Sequence, residues 1–107
     1  MEIRQYDIVL VNLDPTIGSE INKTRPCTVI SPDEINQFLK TVVIAPMTTQ
    51  LKMYPTRVKV NNDTKISWIA IDQIRTIDKL RVVRILDHLT IREIEKVKSV
   101  IKETYVD

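Results

Sequence analysis

Short runs of β-branched and apolar residues, each ended by polar turn residues, restrict the fold of this chain more than any other feature. Residues 7–13 form such a run and stop at Asp14-Pro15, and residues 41–45 form another that stops at Pro46. Branched side chains pack well on a pleated surface, so runs of this kind predict β-strands. We predict further strands over residues 27–31, which follow Pro26, and over residues 56–61, 68–71, 74–77 and 81–86. Short strands at such close spacing favour a small β-barrel.

The last part of the chain has a different period and predicts one amphipathic helix. Its apolar side chains recur at steps of three and four residues, with charged residues between them. Thr90 and Glu93 have the spacing of a capping box, in which each side chain binds the backbone N–H of the other residue. A shorter helix or turn is expected over residues 32–38. The apolar positions of the long helix are Ile91, Ile94, Val97, Ile101 and Thr104 or Tyr105.

The chain has 107 residues, which is enough for one ordinary domain and too few for two, so we expect a single domain over residues 1–107. Hydrophobic residues make up 43% of the chain and charged residues 28%, which is typical of a folded protein and not of a disordered one. The formal net charge is only +2, which argues against a protein that coats nucleic acid by bulk attraction. A nucleic-acid ligand would need a local basic cleft.

Cysteine and histidine are each present once, as Cys27 and His88, so an internal disulfide is excluded and a structural zinc site is not expected. No window approaches the apolar stretch of about 20 residues that spans a membrane, and the N-terminus lacks the apolar run of a signal peptide. These features favour a cytoplasmic protein that uses no metal or cofactor. We interpret Cys27 as a small buried side chain, His88 as a structural or solvent-facing residue before the helix, and Trp68 as part of the core.

Three polar segments lie between the predicted strands and carry side chains suited to binding phosphate. They cover residues 14–25, 48–52 and 72–81. Each one alone could be a solvated loop, but three that met at one end of a barrel would form a binding site. The first is also long for a small domain, which favours a function. The cationic and hydroxyl side chains are Lys23, Arg25, Thr48, Thr49, Lys52, Arg75, Thr76, Lys79 and Arg81.

Four motifs lie in and around these segments: residues 7–20, which end in Gly18-Ser19-Glu20, then Lys23-Thr24-Arg25-Pro26, residues 45–50 and residues 72–79. They resemble the motifs of a known family, the MazF/PemK (Kid) toxins, which are the endoribonucleases of bacterial toxin–antitoxin pairs. The resemblance depends on their order and spacing and covers nearly the whole chain. Tyr6 and the pair Ile21-Asn22 stand where many relatives have a glycine and a more flexible pair, so we expect a stiffer loop here.

The resemblance implies an SH3-like barrel with a C-terminal helix, and a homodimer with an RNA groove along its interface. The three polar segments would line that groove. The substrate it implies is single-stranded RNA with its bases splayed out. A second partner would be a cognate antitoxin, small, acidic and partly disordered, that occupies the groove. Pairing two copies would concentrate basic side chains in one place, which explains how a nearly neutral chain could bind RNA.

The resemblance also implies a reaction without a metal ion, because RNA carries its own nucleophile, the 2′-OH. The products would be a 2′,3′-cyclic phosphate, or the 3′-phosphate formed from it, and a 5′-OH. Arg25 would stabilise charge on the phosphate, Thr48 would donate to a phosphate oxygen, and Glu20 is the candidate base. A guanidinium group is a poor general base, so we expect Arg25 to act mainly by its charge. The residues implied to contact RNA are Gly18, Ser19, Lys23, Thr49, Gln50, Gln73, Arg75, Thr76, Asp78 and Lys79.

Simpler interpretations stay open for several of these side chains. Arg25 could form a surface salt bridge or be held by Glu20, Thr48 could cap a turn, and Arg75 could pair with Asp78. Two other functions also stay open for the whole protein. One is a non-catalytic toxin of the same barrel class that inhibits a protein such as DNA gyrase, as CcdB does. The other is an SH3-like interaction module, for which three polar loops at one place would have no explanation.

Overall fold

The structure, a computed structural model, describes residues 1–50, 53–62 and 65–106. Within these residues the chain forms seven strands, two α-helices and three single helical turns. Two turns of 3₁₀ helix cover Ile71–Gln73 and Lys79–Arg81, and a π-helical turn over Lys102–Val106 continues the last helix. The strands are β1 (Asp7–Asn12), β2 (Thr24–Val29), β3 (Thr41–Thr48), β4 (Arg57–Asn62), β5 (Lys65–Ala70), β6 (Arg75–Asp78) and β7 (Val82–His88), and the helices are α1 (Asp33–Asn36) and α2 (Ile91–Ile101). The predicted mostly β fold with a C-terminal helix is confirmed.

The strands form an antiparallel sheet in the order β4-β5-β3-β2-β1-β7, and β6 pairs with β3 beside this path. One edge of β3 is shared between two strands, because residues 41–44 pair with β6 while Met47 and Thr48 pair with β5. The path begins at β4 and ends at β7, and within the described residues no pairing joins these two strands. The predicted barrel is therefore an open sheet, because β3 changes partners along its length and the sheet divides there.

β3 continues past Pro46, where the sequence predicted that it would end. Proline lacks the N–H that a strand donates, so a strand tolerates it where that donor would have no partner. The carbonyl group of Val43 accepts from the Ile30 N–H at 2.8 Å and so faces β2, and Pro46, three residues on, faces the opposite edge. On that edge β6 reaches only Ile44, and β5 begins to pair at Met47. The proline lies in the gap between two partner strands.

β2 begins at Thr24, before the Pro26 at which the sequence predicted its start. Arg25 pairs with Val11 and Pro26 pairs with Leu10, so the ladder with β1 includes both residues. The polar sequence before Pro26 has no strand signal of its own, and the pairing with β1 overrides that local preference. Arg25 is consequently held on a strand and not in a loop.

Two clusters of buried side chains lie on the two faces of the sheet. Val9 and Val11 belong to the first cluster and Ile8 to the second, as expected for a strand whose successive side chains point to opposite faces. Val97 and Val100 of α2 cover the second cluster. The other members of the first cluster are Ile3, Leu13, Cys27, Val29, Val42, Ile44, Ile77 and Val82, and those of the second are Ala45, Met47, Val58, Val60, Ile69, Ile71 and Leu89.

The predicted capping box of α2 is confirmed. The Thr90 hydroxyl accepts from the Glu93 N–H at 3.2 Å, and the Glu93 carboxylate accepts from the Thr90 N–H at 2.9 Å. The core-facing positions differ from the prediction at the start of the helix, where Ile91 is 81% exposed. Ile91 is the first helical residue, and because helical side chains lean towards the N-terminus its side chain extends beyond the packed part of α2. Val100, which the sequence analysis did not include, is buried instead.

Tyr6 has a glycine-like backbone conformation at the entry to β1. Its φ of 69° lies in the left-handed region that glycine adopts most easily. The Tyr6 N–H donates to the Val29 carbonyl at 2.8 Å, and the Tyr6 carbonyl accepts from the Leu89 N–H at 3.0 Å. Burial raises the pKa of the Tyr6 phenol, and the negative charge of Glu95 raises it further. These contacts hold the entry to β1 in its strained conformation.

Candidate active site

Arg25 and Thr48 come from neighbouring strands and lie on one cavity. β2 and β3 pair in antiparallel fashion with Cys27 opposite Pro46. The same register, continued by two residues, places Arg25 opposite Thr48, just beyond the last paired residues. Opposite residues of an antiparallel pair are direct neighbours. Both side chains line a cavity of about 370 Å³.

Within the described residues, the Arg25 guanidinium group is anchored through one nitrogen and makes no hydrogen bond at the other two. Its Nε donates to the Asn22 carbonyl at 3.1 Å. A guanidinium group has five N–H donors, so the four on Nη1 and Nη2 stay available to a ligand. In residues 1–50, 53–62 and 65–106 no carboxylate lies within ion-pair distance of Arg25, and the surface salt bridge is not formed there. Arg25 therefore presents an unneutralised charge to the cavity.

The Thr48 hydroxyl caps a turn and can still act on a ligand. Thr48 is 8% exposed, and its Oγ1 accepts from the Gln50 N–H at 3.1 Å. A hydroxyl that accepts one hydrogen bond retains its own proton for donation. The simpler interpretation and the catalytic one are therefore compatible, since the cap fixes the position of the oxygen that would donate.

Glu20 lines the same cavity without binding Arg25. Its Oε1 accepts from the Ile17 N–H at 2.6 Å, and its own N–H donates to the Ile17 carbonyl at 3.2 Å. These two bonds close a tight turn at the tip of the loop, where Gly18 has a φ of 60°. Oε2 makes no hydrogen bond with the described part of the chain. It is free to accept a proton or a hydrogen bond in the cavity.

A second cavity, of about 420 Å³, adjoins the first. We call the two the Arg25 cavity and the Arg75 cavity. Ser19, Glu20 and Ile21 line both, so this part of the loop between β1 and β2 (residues 13–23, the β1–β2 loop) is their shared wall. The other lining residues are Asn22, Arg25, Thr48, Thr49 and Gln50 for the Arg25 cavity, and Pro46, Asp72, Gln73, Ile74 and Arg75 for the Arg75 cavity.

Gln73 and Arg75 hold the β1–β2 loop in addition to lining the Arg75 cavity. The Gln73 Oε1 accepts from the Ile21 N–H at 2.9 Å, and the Arg75 Nη1 donates to the Leu13 carbonyl at 3.3 Å. The Ile21 side chain packs against the first buried cluster. These contacts tie the loop to the residues of the Arg75 cavity and to the first cluster, while the stiffer loop expected from Ile21-Asn22 stays a prediction. The remaining N–H groups of Gln73 and Arg75 are available to a ligand.

Asp72, which the sequence analysis did not select, is the acidic residue of the Arg75 cavity. Arg57 holds it through two bonds, from Nε to Oδ1 at 2.9 Å and from Nη2 to Oδ2 at 3.1 Å, and the Thr56 hydroxyl donates to Oδ1 at 2.9 Å. Burial alone would raise the pKa of Asp72, but the hydrogen bonds from Arg57 and Thr56 outweigh it and lower that pKa. The carboxylate is thus a fixed, ionised acceptor. In the sequence, Asp72 is marked by its position directly after the strand predicted over residues 68–71 and by its place at the start of the motif of residues 72–79.

The third polar segment is divided between two places. β6 pairs with β3 so that Arg75 lies opposite Ile44 and Asp78 lies opposite Thr41. Thr48 is at the other end of β3, about 23 Å from Thr41 at the usual rise of a strand. The structure thus brings Gln73 and Arg75 to the candidate site, while Thr76, Asp78 and Lys79 line neither cavity.

Asp78 and Lys79 have structural partners at their own end of the sheet. The Asp78 Oδ1 accepts from the Leu80 N–H at 2.8 Å and caps the following turn. The Lys79 ammonium group donates to the Asn36 carbonyl at the end of α1. Across the described residues, no ion pair joins Arg75 to Asp78.

The other predicted RNA contacts surround the Arg25 cavity. Ser19, Thr49 and Gln50 line it, and Gly18 lies at the exposed tip of the β1–β2 loop. Lys23 is exposed at the end of that loop, where its N–H donates to the Asp14 Oδ1 at 3.0 Å. Lys52 falls outside the described residues.

The interpretations of Cys27 and His88 are confirmed. Cys27 is fully buried, and burial raises the pKa of its thiol to about 12, although the charge of Arg75 and a backbone hydrogen bond from Met47 act in the other direction. The His88 Nδ1 lies 2.8 Å from the Asp7 Oδ1 and joins β7 to β1. Trp68 is half-buried on β5 opposite Thr48, so it lies between the core and the surface.

The described residues contain no group of three His, Cys, Asp or Glu side chains placed to hold a metal ion. None of the helices described is long and apolar enough to cross a membrane. The functional groups that line the Arg25 cavity include the Arg25 guanidinium group, the Thr48 hydroxyl and the Glu20 carboxylate.

Comparison with known proteins gives a consistent result. Residues 4–105 match the family described as PemK-like, MazF-like toxin of type II toxin–antitoxin system. Endoribonuclease EndoA of Bacillus subtilis (strain 168) is 32% identical over 108 residues, which cover 95% of this chain and 93% of the relative. The solved structure of MazF from Deinococcus radiodurans has a TM-score of 0.86 at 22% identity and covers 100% of this chain and 99% of its own. An endoribonuclease from a mycobacterial species, solved in complex with its cognate antitoxin, has a TM-score of 0.80 at 19% identity and covers 94% and 92%. These two solved structures show the same fold.

Proposed function

The chain belongs to the PemK-like, MazF-like toxin family of type II toxin–antitoxin systems, and from this premise we propose that it is a single-domain endoribonuclease that cleaves single-stranded RNA without a metal ion. One observation carries the proposal. Arg25, Thr48 and Glu20 line the same cavity, and each has donor or acceptor capacity that the protein does not use. The Bacillus relative is named an endoribonuclease, and the match covers 93% of its length, which supports the same activity for this chain. The proposed site of action is the cytoplasm, where the cell's RNA is found.

In the proposed reaction the RNA 2′-oxygen attacks the adjacent phosphorus and the bond from phosphorus to the 5′-oxygen breaks. The 2′-OH gives its proton to the Glu20 carboxylate, and the departing 5′-oxygen takes one from solvent water. The free Nη1 and Nη2 donors of Arg25 bind the phosphate oxygens, whose negative charge increases in the transition state. The Thr48 hydroxyl donates to the same phosphate. The ends formed are a 2′,3′-cyclic phosphate, or the 3′-phosphate derived from it, and a 5′-OH.

Glu20 is the proposed acceptor of the 2′-OH proton. Its Oε1 is occupied by the Ile17 N–H, while Oε2 is unbound within the described chain. A general base has to reach the proton it takes, and Glu20 shares a cavity with Arg25 and Thr48. Since no carboxylate partner holds the Arg25 guanidinium group there, the separate roles of charge stabilisation and proton acceptance are compatible.

We assign the Arg75 cavity to the nucleotide next to the cleaved bond. The two cavities share the wall formed by Ser19, Glu20 and Ile21, and each has the volume of a small-ligand pocket. Gln73 and Arg75 supply donors there and Asp72 supplies an ionised acceptor. A base with both kinds of group on its edge fits this lining. Gly18, Lys23, Thr49 and Gln50 would follow the RNA around the Arg25 cavity.

The homodimer implied by the family is part of the proposal. Among the described strands β7 pairs with β1 alone, and its exposed side chains include Val83, 55% exposed, and Ile85, 38% exposed. Phe38 and Leu80 are 81% and 94% exposed. Exposed apolar side chains on an edge strand are a liability in a monomer, and a second copy would cover them. Thr76, Asp78 and Lys79 come just before Leu80 in the sequence. Because they line neither cavity, we propose that they reach RNA through such a dimer.

The second proposed partner is a cognate antitoxin. The mycobacterial endoribonuclease of the same fold was solved in complex with its own antitoxin. A small, acidic and partly disordered chain would be attracted to the free charges of Arg25, Lys23 and Arg75. By occupying the RNA surface it would suppress cleavage, so the cognate antitoxin should compete with RNA for binding.

The proposal is tested by incubating the purified protein with a long RNA of known sequence in excess EDTA and mapping every new 5′ end. Arg25→Ala and Thr48→Ala are treated in parallel to exclude a contaminating nuclease, and sedimentation reports the oligomeric state. Cuts at one recurring short motif, absent in both variants, are the expected result. Intact RNA after incubation with a folded wild-type dimer would reject the proposal and direct attention to protein targets such as DNA gyrase.

A further inference from the structure

Two arginines hold the corner at which the chain leaves β1 and enters the β1–β2 loop. The Arg81 Nη1 donates to the main-chain carbonyl of Asn12 at 3.2 Å and to that of Asp14 at 2.6 Å. The Arg75 Nη1 donates to the Leu13 carbonyl between them at 3.3 Å. Three successive carbonyl groups therefore accept from guanidinium groups. Two of the three lie beyond the end of β1, where the sheet supplies no regular partner.

The same corner is tied to the other end of the loop. The Leu13 N–H donates to the Lys23 carbonyl at 3.0 Å, and the Lys23 N–H donates to the Asp14 Oδ1 at 3.0 Å. Lys23 has a φ of 67°, a left-handed conformation that costs a residue with a side chain about 1 kcal/mol. Such a conformation persists only where neighbouring contacts impose it. The bonds to Leu13 and Asp14 impose it here, so fixing the first corner fixes both ends of the loop.

Arg81 lies outside the cavities whose wall it supports. The β1–β2 loop carries Ser19, Glu20 and Ile21, which line both cavities, whereas Arg81 lines neither. Arg75 differs from Arg81 in this respect, because it lines the Arg75 cavity itself. Within the described residues, Arg81 is linked to these cavities through its two bonds to the backbone at the start of the loop.

We propose that Arg81 is a positioning residue for RNA cleavage, which sets the conformation of the β1–β2 loop through the carbonyl groups of Asn12 and Asp14. The inference rests on the proposed function for its effect on catalysis, but not for its effect on the loop. One nitrogen makes both bonds, so the ammonium group of a lysine can replace it. A methionine of similar length keeps the packing and lacks the donors.

The experiment compares Arg81→Met and Arg81→Lys with Arg92→Met. Arg92 is an exposed arginine of α2 that lines neither the Arg25 nor the Arg75 cavity. Arg92→Met removes one positive charge, as Arg81→Met does, and it is therefore the matched control. The first measurement is amide hydrogen exchange without RNA. In Arg81→Met we expect the Ile21 and Lys23 amides to exchange about tenfold faster or more, while the amide of Val29 in β2 is unchanged. Arg81→Lys should behave like the wild type.

The second measurement separates kcat from RNA affinity. We expect Arg81→Met to lower kcat by about 10- to 100-fold, the range for a small misplacement of catalytic groups, with KM within about threefold. Arg81→Lys should recover most of the rate, and Arg92→Met should keep it. Affinity is measured on an RNA with a 2′-deoxy nucleotide at the mapped cut.

Three results would overturn the inference. An unchanged kcat despite faster loop exchange would show that the loop conformation does not matter for cleavage. Weaker RNA affinity with a salt dependence reduced by about one charge, and with unchanged loop exchange, would make Arg81 a phosphate contact. Faster exchange throughout the protein would make its role general stability. If the wild type cleaves no RNA the proposed function fails by itself, and the exchange comparison still decides whether Arg81 holds the loop.

Discussion

Arg25 and Arg57 are both held on strands beside the candidate site, yet their side chains are used in opposite ways. Arg57 gives two bonds to Asp72, lies 5.3 Å from the centre of the Tyr54 ring, and has a side chain only 7% exposed. Arg25 gives one bond, to a carbonyl group, and has no carboxylate partner in the described chain. One guanidinium group is neutralised and packed, while the other keeps four N–H donors for a ligand.

The difference separates an arginine with a structural role from one suited to the proposed catalytic role. A neutralised arginine stabilises the fold and fixes the orientation of its partner, as Arg57 does for Asp72. An arginine anchored through Nε alone is oriented without being neutralised, which is the arrangement that favours a phosphate. We therefore expect loss of Arg25 to affect catalysis and loss of Arg57 to affect stability.

The largest effect is expected for Arg25→Ala. Removing a charged donor to the transition state should lower kcat by about 100- to 1,000-fold. The free energy of unfolding should stay within about 0.5 kcal/mol of the wild type, because the side chain makes a single bond at the surface. Cleavage assays and urea titration measure the two quantities. Activity within tenfold of the wild type would remove Arg25 from the catalytic role.

A smaller loss is expected for Thr48→Ala, about 10- to 100-fold in kcat, because the hydroxyl is a neutral donor. Thr48→Ser keeps the hydroxyl and the bond from the Gln50 N–H, so it is the matched control and should retain most of the activity. Equal losses in the serine and alanine variants would assign the effect to packing of the threonine methyl group.

Arg57→Ala should destabilise the fold by about 1–2 kcal/mol and lower kcat by less than tenfold, the reverse of the pattern for Arg25. The pKa of Asp72 is held below its usual value, so the folded state binds fewer protons than the unfolded state, and the pair's stabilisation is complete above about pH 5. It is lost as the pH falls through the lowered pKa. Urea titrations of both proteins at pH 7 and pH 3 should show a smaller difference in stability at the lower pH. A difference that was the same at both pH values would exclude the ion pair as its cause.

The smallest effect is expected for Cys27, although it lies two residues from Arg25 on β2. Its thiol is buried and has a pKa of about 12, so iodoacetamide at pH 7 should leave the folded protein unmodified and alkylate it only in urea. Cleavage activity should be the same before and after the treatment of the folded protein. Rapid alkylation of the native thiol, followed by mass spectrometry, would contradict the described burial.

Local patterns in the sequence were sufficient for the strands, for α2 and for the three polar segments. The Thr90–Glu93 capping box is such a pattern, because both partners lie within one turn of helix. The sequence was insufficient at Pro46, where strand propensity predicts an end and the exchange of β6 for β5 permits continuation. The sequence prediction was also wrong at Ile91, which the helical period places on the apolar face and the structure leaves exposed. The period alone does not show how far the sheet extends beneath the helix.

The candidate site divides in the same way. Arg25, Thr48 and Glu20 could be selected from their motifs, and the structure brings them to one cavity. Asp72 could not be selected with its partner, because Arg57 is distant in sequence and meets it only through the pairing of β4 with β5, which places Arg57 opposite Ala70. The separation of Lys79 from Arg75 was likewise invisible, since both belong to one short polar segment.

The sequence by itself determined the mostly β fold, the C-terminal helix, the family and the candidate catalytic side chains, because each depends on residues close together in the chain or on motifs in a fixed order. Only the tertiary structure decided that the sheet is open, that Arg25 is free while Arg57 is neutralised, and that Arg81 holds a loop it does not belong to. The physical reason is that register, cavity walls and charge pairing depend on contacts between distant segments. Those contacts exist only after the strands have paired.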